Sequence, residues 1–384
     1  MSSLIRDLTD DEARAALVCK WGEVESDVLP AWVAEMDYAP AEPITEALHR
    51  AITTGMTGYP RLGGGGPLGE AYAGFAARHF GHEVDAAQVL PTVDVTAGVR
   101  LALDVIARPG GLVMPVPGYS PQLDMAAITG RERLDLVVDP DAERAELDLD
   151  LLEHHFANGA AALLLTQPHN PWGRVFTRAE LEGVRDVVAR HGGLVVSDEI
   201  HAPLVLDGAE HLPYLAVEGT AEHTVAVVAA SKAFNIAGLK CAQLVAASPA
   251  LSSALSTAPM ARNDSWSVLG VEGSIAAYTH GDAWLADLVD RLSAQRDLLG
   301  ELIATHLPEA RMRPLEATYL AWIDLRAYGH DDPAGVALER QRVKVAAGHD
   351  YHPGLPGHVR LNIATSPERL TEVVRRLAAA VQGS

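Results

Sequence analysis

Cysteine and lysine are both scarce in this chain of 384 residues. The two cysteines, Cys19 and Cys241, are too few for a disulfide framework and stand in no CxxC or Cys/His spacing typical of zinc sites. We therefore expect no metal site and a reducing, cytoplasmic location. The four lysines among the 30 basic residues are Lys20, Lys232, Lys240 and Lys344. A reaction that needs a primary amine therefore has four possible positions.

The chain also lacks an excess of positive charge, and it has no long apolar run. Thirty basic residues oppose 51 acidic ones, which gives a formal net charge of -21 spread along the chain. This balance disfavours attraction to nucleic acid or to anionic membranes. Residues 1–20 are polar and acidic, and apolar stretches elsewhere are interrupted within about ten residues, half of the ~20 that a membrane span needs. The sequence thus predicts neither an export signal nor a transmembrane helix.

The middle of the chain alternates short apolar segments with helical patterns. The apolar segments are continuous, as in strands covered on both faces, and lie at 111–114, 134–138, 160–166, 193–197, 224–230 and 241–247. The helical patterns lie at 96–107, 178–191 and 265–278. This alternation predicts an α/β fold in which a mostly parallel sheet has helices on both faces, a three-layer αβα domain.

The pattern changes after about residue 279. An amphipathic stretch at 282–306 is followed by two apolar segments and a final helix, at 319–323, 359–364 and 367–381. The N-terminal segment through about Pro43 has no parallel-sheet pattern. For a chain long enough for about two domains, these features predict a large domain at 44–281 and a smaller, discontinuous α+β domain formed by 1–43 and 282–384.

One of the four lysines follows the apolar segment at 224–230. Lys232 comes just after the predicted strand, at the sheet edge where open α/β sheets bind ligands. A lysine in this position is ordinarily an edge residue whose stem packs on apolar surface. A desolvated lysine, however, loses its proton more readily and becomes a nucleophile toward carbonyl groups. Both interpretations remain open on these residues alone.

Two further strand ends carry polar residues. Asp198 comes directly after the segment at 193–197. It is either a turn residue or an ionised carboxylate that keeps a ligand's ring nitrogen protonated. A metal site formed by Asp198 and His201 lacks a third ligand at suitable spacing. Asn170 stands between Pro168 and Pro171, which make the turn rigid and could aim its amide at a fixed partner.

In this order, the Asn-Pro turn, the aspartate and the lysine resemble the pyridoxal-phosphate (PLP) enzymes of the aspartate aminotransferase fold. Longer segments are similar to signatures of the MalY/PatB type of cystathionine β-lyase. These segments are Trp32–Tyr38, Ser197–His201, Ser231–Leu239 and Val359–Ala364. The resemblance extends from about residue 20 to the C-terminus and implies fold type I and PLP as cofactor.

The resemblance implies roles for five residues around the cofactor ring. Lys232 would form the Schiff base with PLP, and Asp198 would bind the pyridinium nitrogen. Asn170 would donate a hydrogen bond to the phenolic oxygen, with His201 beside it. Tyr119 would stack on the ring and is also a candidate catalytic residue. All five positions match the family's pattern in residue type or spacing.

The resemblance also implies which residues bind the phosphate group of the cofactor. Thr96 and Ala97 begin a predicted helix, whose free N–H groups and dipole favour an anion. Ser231 would add a hydroxyl, and Lys240 stands where relatives often have a phosphate-binding arginine. Tyr59 matches a tyrosine that reaches the phosphate of the neighbouring subunit, which implies a homodimer with shared active sites.

The implied activity is α,β-elimination on cystathionine or another cysteine S-conjugate, giving thiol, pyruvate and ammonia. Arg360 would bind the substrate carboxylate as a planar two-pronged donor, with Tyr119 and Ala34 also contacting the substrate. The freed Lys232 amine would remove the Cα proton, while Lys232 and Tyr119 are both candidates to protonate the leaving thiolate.

Two alternatives remain open. An aminotransferase of the same fold would use the same lysine and aspartate, and a non-catalytic regulator could retain the scaffold. The chain also departs from the family's pattern at Gln167, at Ser120 and within 352–356, which we expect near the substrate channel. These departures leave the preferred thioether undetermined.

Overall fold

The fold was obtained as a computed structural model, which describes residues 3–383; residues 1, 2 and 384, at the ends of the predicted small domain, lie outside this range. The strands are Leu29–Pro30 (β1), Val89–Thr92 (β2), Gly111–Val116 (β3), Arg133–Val137 (β4), Ala160–Thr166 (β5), Leu194–Asp198 (β6), Thr224–Val228 (β7), Ala242–Val245 (β8), Arg311–Met312 (β9), Leu320–Asp324 (β10), Val343–Lys344 (β11), Ala346–Ala347 (β12) and His358–Asn362 (β13). The α-helices are Asp10–Ala16 (α1), Glu42–Thr53 (α2), Gly66–Phe80 (α3), Val95–Val105 (α4), Ser120–Leu123 (α5), Met125–Ile128 (α6), Leu149–Ala157 (α7), Arg178–Arg190 (α8), Pro249–Ser256 (α9), Val268–His280 (α10), Asp282–His306 (α11), Pro333–Gln341 (α12) and Pro367–Gln382 (α13).

A seven-stranded sheet organises the larger part of the chain. Its strand order is β2-β8-β7-β6-β5-β3-β4, and every neighbouring pair is parallel except the two pairs that β8 forms. The predicted α/β fold with a mostly parallel sheet is therefore confirmed. Between β7 and β8 the described chain contains no α-helix, so it turns back without the crossover that parallel strands need. This connection is the segment that contains Lys232.

Helices cover both faces of this sheet. Alternate residues of the central strands point to opposite sides: Ala162 and Leu164 pack with α4, whereas Leu163 and Leu165 pack with α7 and α8. Because both faces are covered, the central strands are mostly apolar, with polar residues at the ends of β5 and β6; every residue of β3, β5 and β6 is buried. The three-layer αβα arrangement follows directly from these continuous apolar segments.

The rest of the described chain forms a second group of elements. An antiparallel sheet in the order β12-β13-β10-β9 packs with α11, α12 and α13. The N-terminal segment joins this group because β1 pairs with β11 and the backbone N–H of Asp37 donates to the carbonyl oxygen of Ala364 at 2.9 Å. Lys20 and Asp37, both fully buried, form an ion pair of 2.8 Å in the same region. These contacts favour the predicted discontinuous small domain, whose boundaries stay a prediction.

Most predicted elements lie within two or three residues of the observed bounds. The helix predicted at 265–278 begins later, at Val268, because the Ser267 hydroxyl caps it by accepting the N–H of Gly270. Strand β2, at one edge of the large sheet, was not predicted at all. In the described part of the chain, no helix is both long and apolar enough to cross a membrane.

Candidate active site

A cleft opens at the edge of the large sheet where the parallel strands β5 and β6 end. The carboxyl ends of parallel strands share one edge, so this edge gathers side chains from distant parts of the sequence. Nine predicted site residues line the cleft: Ala34, Thr96, Tyr119, Asn170, Asp198, His201, Ser231, Lys232 and Lys240. The sequence pattern thus located one site from segments up to 200 residues apart.

Lys232 lies within this cleft. Its Nζ donates a hydrogen bond to the carbonyl oxygen of Ala34, 3.1 Å away. Burial, reinforced by the nearby positive charge of Arg360, lowers the pKa of the Lys232 amine to about 8; the negative charges of Glu35 and Asp198 oppose this change. At neutral to mildly alkaline pH, a useful fraction of Lys232 is therefore the free amine that can attack a carbonyl group.

Asp198 is a buried carboxylate at the end of β6. The amide Nε2 of Gln122 donates to its Oδ2 at 2.6 Å, and the backbone N–H of Ile200 donates to its Oδ1 at 3.1 Å. Burial raises the pKa of Asp198 to about 6, although both hydrogen bonds favour the ionised form. Asp198 is therefore mostly ionised at neutral pH and can accept a further hydrogen bond from a ligand.

Arg360, at the centre of β13, reaches the cleft from the second group of elements. Its Nη1 donates to the Asn170 Oδ1 at 3.2 Å, and its Nη2 donates to the carbonyl oxygen of Trp32 at 2.8 Å. The guanidinium carbon lies 4.9 Å from the ring centre of Tyr351. These contacts hold a planar cation, itself buried, beside the predicted cofactor residue Asn170.

His201 lines the cleft as a neutral imidazole. Burial and the nearby charges of Lys232 and Arg360 lower its pKa to about 3. Its Nδ1 has no hydrogen-bond partner among the described residues, and its ring meets the edge of Tyr319 at 6.5 Å. The Tyr319 hydroxyl donates to the carbonyl oxygen of Ala34 at 3.0 Å, the same oxygen that Lys232 contacts.

Tyr119 follows β3, immediately precedes α5 and lines the cleft. Burial raises the pKa of its hydroxyl, the Arg360 charge opposing this effect. The hydroxyl consequently stays protonated at neutral pH. It can donate a proton or a hydrogen bond to a bound molecule.

The other end of the cleft is formed by the N-terminus of α4. Asp94 caps this helix, since its Oδ1 accepts the N–H of Ala97 at 2.9 Å, and its Oδ2 lies 3.0 Å from the Nζ of Lys240. The N–H groups of Val95 and Thr96 have no partner within the helix, so they and the helix dipole favour an anion there. Ser231 and Lys240 line the same cleft.

Two residues lie differently from what the sequence suggested. Ala97 faces an adjoining cavity rather than this cleft, and its N–H is already taken by Asp94. Tyr59 was predicted to reach the neighbouring subunit's site; it is 96% exposed and does not line the cleft of its own chain, and its role stays a prediction. The second departure is at Gln167. Gln167 turns away from the cleft and donates to the buried carboxylate of Glu199 at 3.2 Å.

Sequence reasoning missed several residues of the site. Gln122, Thr166 and Asp94 line the cleft, Tyr319 contacts the cleft residue Ala34, and Tyr351 contacts Arg360. Gln122 stands three residues after Tyr119, and this spacing of one helical turn was a usable signal. Thr166 was recognisable as the last residue of a buried strand that ends at the same edge as Asp198.

The donor set fits the cofactor that the sequence resemblance implies. A buried carboxylate suits a protonated ring nitrogen, and a helix N-terminus with Ser231 and Lys240 suits a phosphate. The amine of Lys232 and the aromatic ring of Tyr119 line the same cleft. The Nδ1 of His201, buried without a partner, is the kind of atom that a polar ligand satisfies.

Comparisons with known proteins agree with this arrangement. The family described as aminotransferase class I and II matches residues 26–377, and the chain belongs to this family. A Mycobacterium leprae protein assigned as a cystathionine β-lyase is 37% identical, covering 99% of this chain and 98% of its own. Cystathionine β-lyase PatB of Bacillus subtilis is 32% identical over 93% of each chain. The predicted resemblance is therefore confirmed.

A solved structure shows the same fold. The AecD protein of Corynebacterium diphtheriae, assigned as a PLP-dependent β-cystathionase, superposes with a TM-score of 0.92 at 32% identity, covering 98% of this chain and 99% of that one. The similarity spans both groups of elements. It therefore includes the N-terminal segment that contributes Ala34 and the β13 strand that contributes Arg360.

Proposed function

We propose that this chain is a PLP-dependent carbon-sulfur β-lyase that converts cystathionine, or a related cysteine thioether, to thiol, pyruvate and ammonia. The observation that carries the proposal is the position of Lys232. Its amine, with a pKa lowered to about 8, lies in one cleft with the Asp198 carboxylate and close to the Arg360 guanidinium. An amine of this kind, a ring-nitrogen partner and a carboxylate anchor are the groups this reaction needs.

Substrate binding depends on Arg360. Its two outer nitrogens, which contact Asn170 and Trp32, match the two oxygens of an α-carboxylate. Its contact with the Tyr351 ring fixes the plane of the guanidinium. The substrate is thereby oriented with its Cα toward Lys232. PLP, when bound, supplies the electron sink for the pair released at Cα.

Proton transfers are assigned to two residues. The Lys232 amine takes the Cα proton as general base, and the bond between Cβ and sulfur then breaks as the carbon-carbon double bond forms. The departing thiolate receives a proton from the Tyr119 hydroxyl or from Lys232, both of which line the cleft. Asp198, which is mostly ionised at neutral pH, would hold the cofactor's ring nitrogen by accepting its hydrogen bond. The unsaturated product hydrolyses to pyruvate and ammonia.

The test is incubation of the PLP-loaded protein with cystathionine in the absence of any keto acid. Pyruvate and free thiol should form in equal amounts, and Lys232→Ala should lose nearly all turnover. Lys344→Arg is a matched control, since Lys344 lies outside the cleft and its cation sits over the Trp32 ring. Turnover that needs a keto acid would instead identify an aminotransferase. Purified protein that binds no PLP would favour the non-catalytic regulator.

We propose further that the chain acts as a homodimer in which Tyr59 completes the neighbouring active site. Tyr59 is 96% exposed, and Ile52, Met56 and Leu62 of the same segment are exposed apolar side chains that a partner would cover. Mixing inactive Lys232→Ala and Tyr59→Ala chains should restore activity. Random pairing leaves one intact site in each heterodimer, about a quarter of the wild-type number. No recovery on mixing would place Tyr59 outside the neighbour's site.

We propose in addition that the protein is cytoplasmic and that it has the two domains predicted from the sequence. Both cysteines are unpaired in the structure, as expected in a reducing cytoplasm. The division into residues 44–281 and the segments 1–43 and 282–384 places Asp198 and Lys232 in one domain and Arg360 in the other. Substrate binding would then join the two domains.

A further inference from the structure

A buried amide lies between two strand ends beneath the cleft. Gln122 is 2% exposed, and its Nε2 donates to the Asp198 Oδ2 at 2.6 Å. On its other side, the Thr166 hydroxyl donates to the Gln122 Oε1 at 3.1 Å. Thr166 and Asp198 are paired residues at the ends of β5 and β6. Both polar atoms of the Gln122 amide are therefore engaged by residues of this edge.

The Thr166 hydroxyl determines which way the amide points. An amide has a donor end and an acceptor end of nearly the same shape, so it can turn over by rotating its last torsion. If the oxygen faced Asp198, two acceptors would meet at about 2.6 Å, a repulsive contact in a buried site. Because Thr166 offers a proton to the oxygen, the N–H end is held toward the carboxylate.

Asp198 depends on this hydrogen bond. Its carboxylate accepts hydrogen bonds from the Gln122 amide and from the backbone N–H of Ile200, and burial opposes its charge. A hydrogen bond to a charged group contributes more than one between neutral groups. Gln122 also lies in α5, which follows Tyr119, and the Tyr119 carbonyl oxygen accepts the Gln122 N–H at 2.8 Å. One turn of chain thus connects Tyr119, the residue proposed to stack on the ring, to the Asp198 carboxylate.

We propose that Gln122 is a positioning residue whose amide, oriented by Thr166, holds the Asp198 carboxylate ionised and fixed to receive the ring nitrogen of the cofactor. The inference rests on the proposed function for the identity of the cofactor. It adds a residue for which the sequence analysis assigned no role. It also gives Thr166 a task, since a valine at this position would fill the same space without directing the amide.

The first test compares two probes on the cofactor-free protein. PLP and its 1-deaza analogue differ only in the ring nitrogen, so an effect that acts through Asp198 weakens PLP alone. Gln122→Met should lower the affinity for PLP by about 10- to 100-fold, the worth of a hydrogen bond to a charged group, and leave the affinity for the analogue unchanged. Asp124→Asn, an exposed neighbour on the same turn, is the control and should match wild type with both probes.

The second test uses Thr166 and does not depend on the Gln122 variant folding. Thr166→Val should weaken PLP binding and spare the analogue, whereas Thr166→Ser, which keeps the hydroxyl, should restore wild-type PLP affinity. Equal losses for PLP and the analogue would overturn the inference, because they would indicate a merely structural role. Unchanged PLP affinity in Gln122→Met would also overturn it. Wild-type protein that binds neither probe would instead overturn the proposed function, and this inference with it.

Discussion

The amine of Lys232 should titrate near pH 8 in the cofactor-free protein. Burial and the Arg360 charge lower its pKa from the ordinary 10.5 to about 8. At pH 8, half of the Lys232 amines are then uncharged, compared with about 0.3% for an ordinary lysine. The free nucleophile is thus more than 100-fold enriched at this one position.

The scarcity of lysine makes this prediction directly measurable. Reductive methylation with ¹³C-formaldehyde labels accessible amines, and ¹³C NMR follows each labelled lysine through a pH titration. Lys20 is fully buried, so Lys240, Lys344 and Lys232 should give the observable lysine signals. The signal that disappears in Lys232→Arg belongs to Lys232. If that signal titrated near 10.5, the desolvation argument for this site would be refuted.

Variants of Arg360 separate the two causes of the lowered Lys232 pKa, burial and the nearby positive charge. Arg360→Met removes the nearby positive charge but leaves the burial, so the pKa of Lys232 should rise to a value between 8 and 10.5. Arg360→Lys keeps a charge at this position and should leave the Lys232 titration close to that of wild type. A Lys232 signal that ignores both substitutions would show that burial alone lowers its pKa.

Three further predictions concern binding and stability. Arg360→Lys should raise KM for cystathionine about 10- to 100-fold in steady-state assays, because an ammonium group cannot reproduce the two-pronged contact. Burial raises the Asp198 pKa from its ordinary 3.8 to about 6. Ionised Asp198 therefore lowers the free energy of unfolding by about 3 kcal/mol above pH 6, and this effect disappears below pH 3.8, where the group is protonated in both states. Asp198→Asn should therefore stabilise the cofactor-free protein against urea at pH 8 and not at pH 3.5. Lys20→Met should lower the free energy of unfolding by about 3 kcal/mol, the lower end of the cost of breaking a buried ion pair, since Asp37 loses its lysine partner but keeps Trp21 and Arg369.

The parts of the fold that follow from local composition were predictable. Strand β5 reads as seven apolar or small residues without alternation, and such a segment has to be covered on both faces. Once β5 and β6 are parallel neighbours, their last residues must share an edge, which brings Asn170 and Asp198 together. The sequence resemblance then added Arg360, whose strand lies in a different sheet.

The parts that depend on long-range pairing were not predictable. Strand β2 has four residues, one of them Pro91, and forms only because β8 turns back beside it. The spacing from Tyr119 places Gln122 near the site, but its hydrogen bond to Asp198 could not be predicted, because Asp198 is 76 residues away and the contact depends on the packing of α5. The engagement of the Ala97 N–H could not be predicted either, since it depends on the side-chain conformation of Asp94.

The environment of each lysine, rather than the number of lysines, makes one amine reactive. Lys20 is out of reach of any solute, Lys240 lies beside the Asp94 carboxylate, and Lys344 lies over the Trp32 ring. Lys232 instead donates to the neutral carbonyl oxygen of Ala34, and burial together with the nearby Arg360 cation outweighs the opposing charges of Glu35 and Asp198. An aldehyde entering this protein therefore meets one accessible amine poised to lose its proton, and that amine lies in the cleft that orients the ligand.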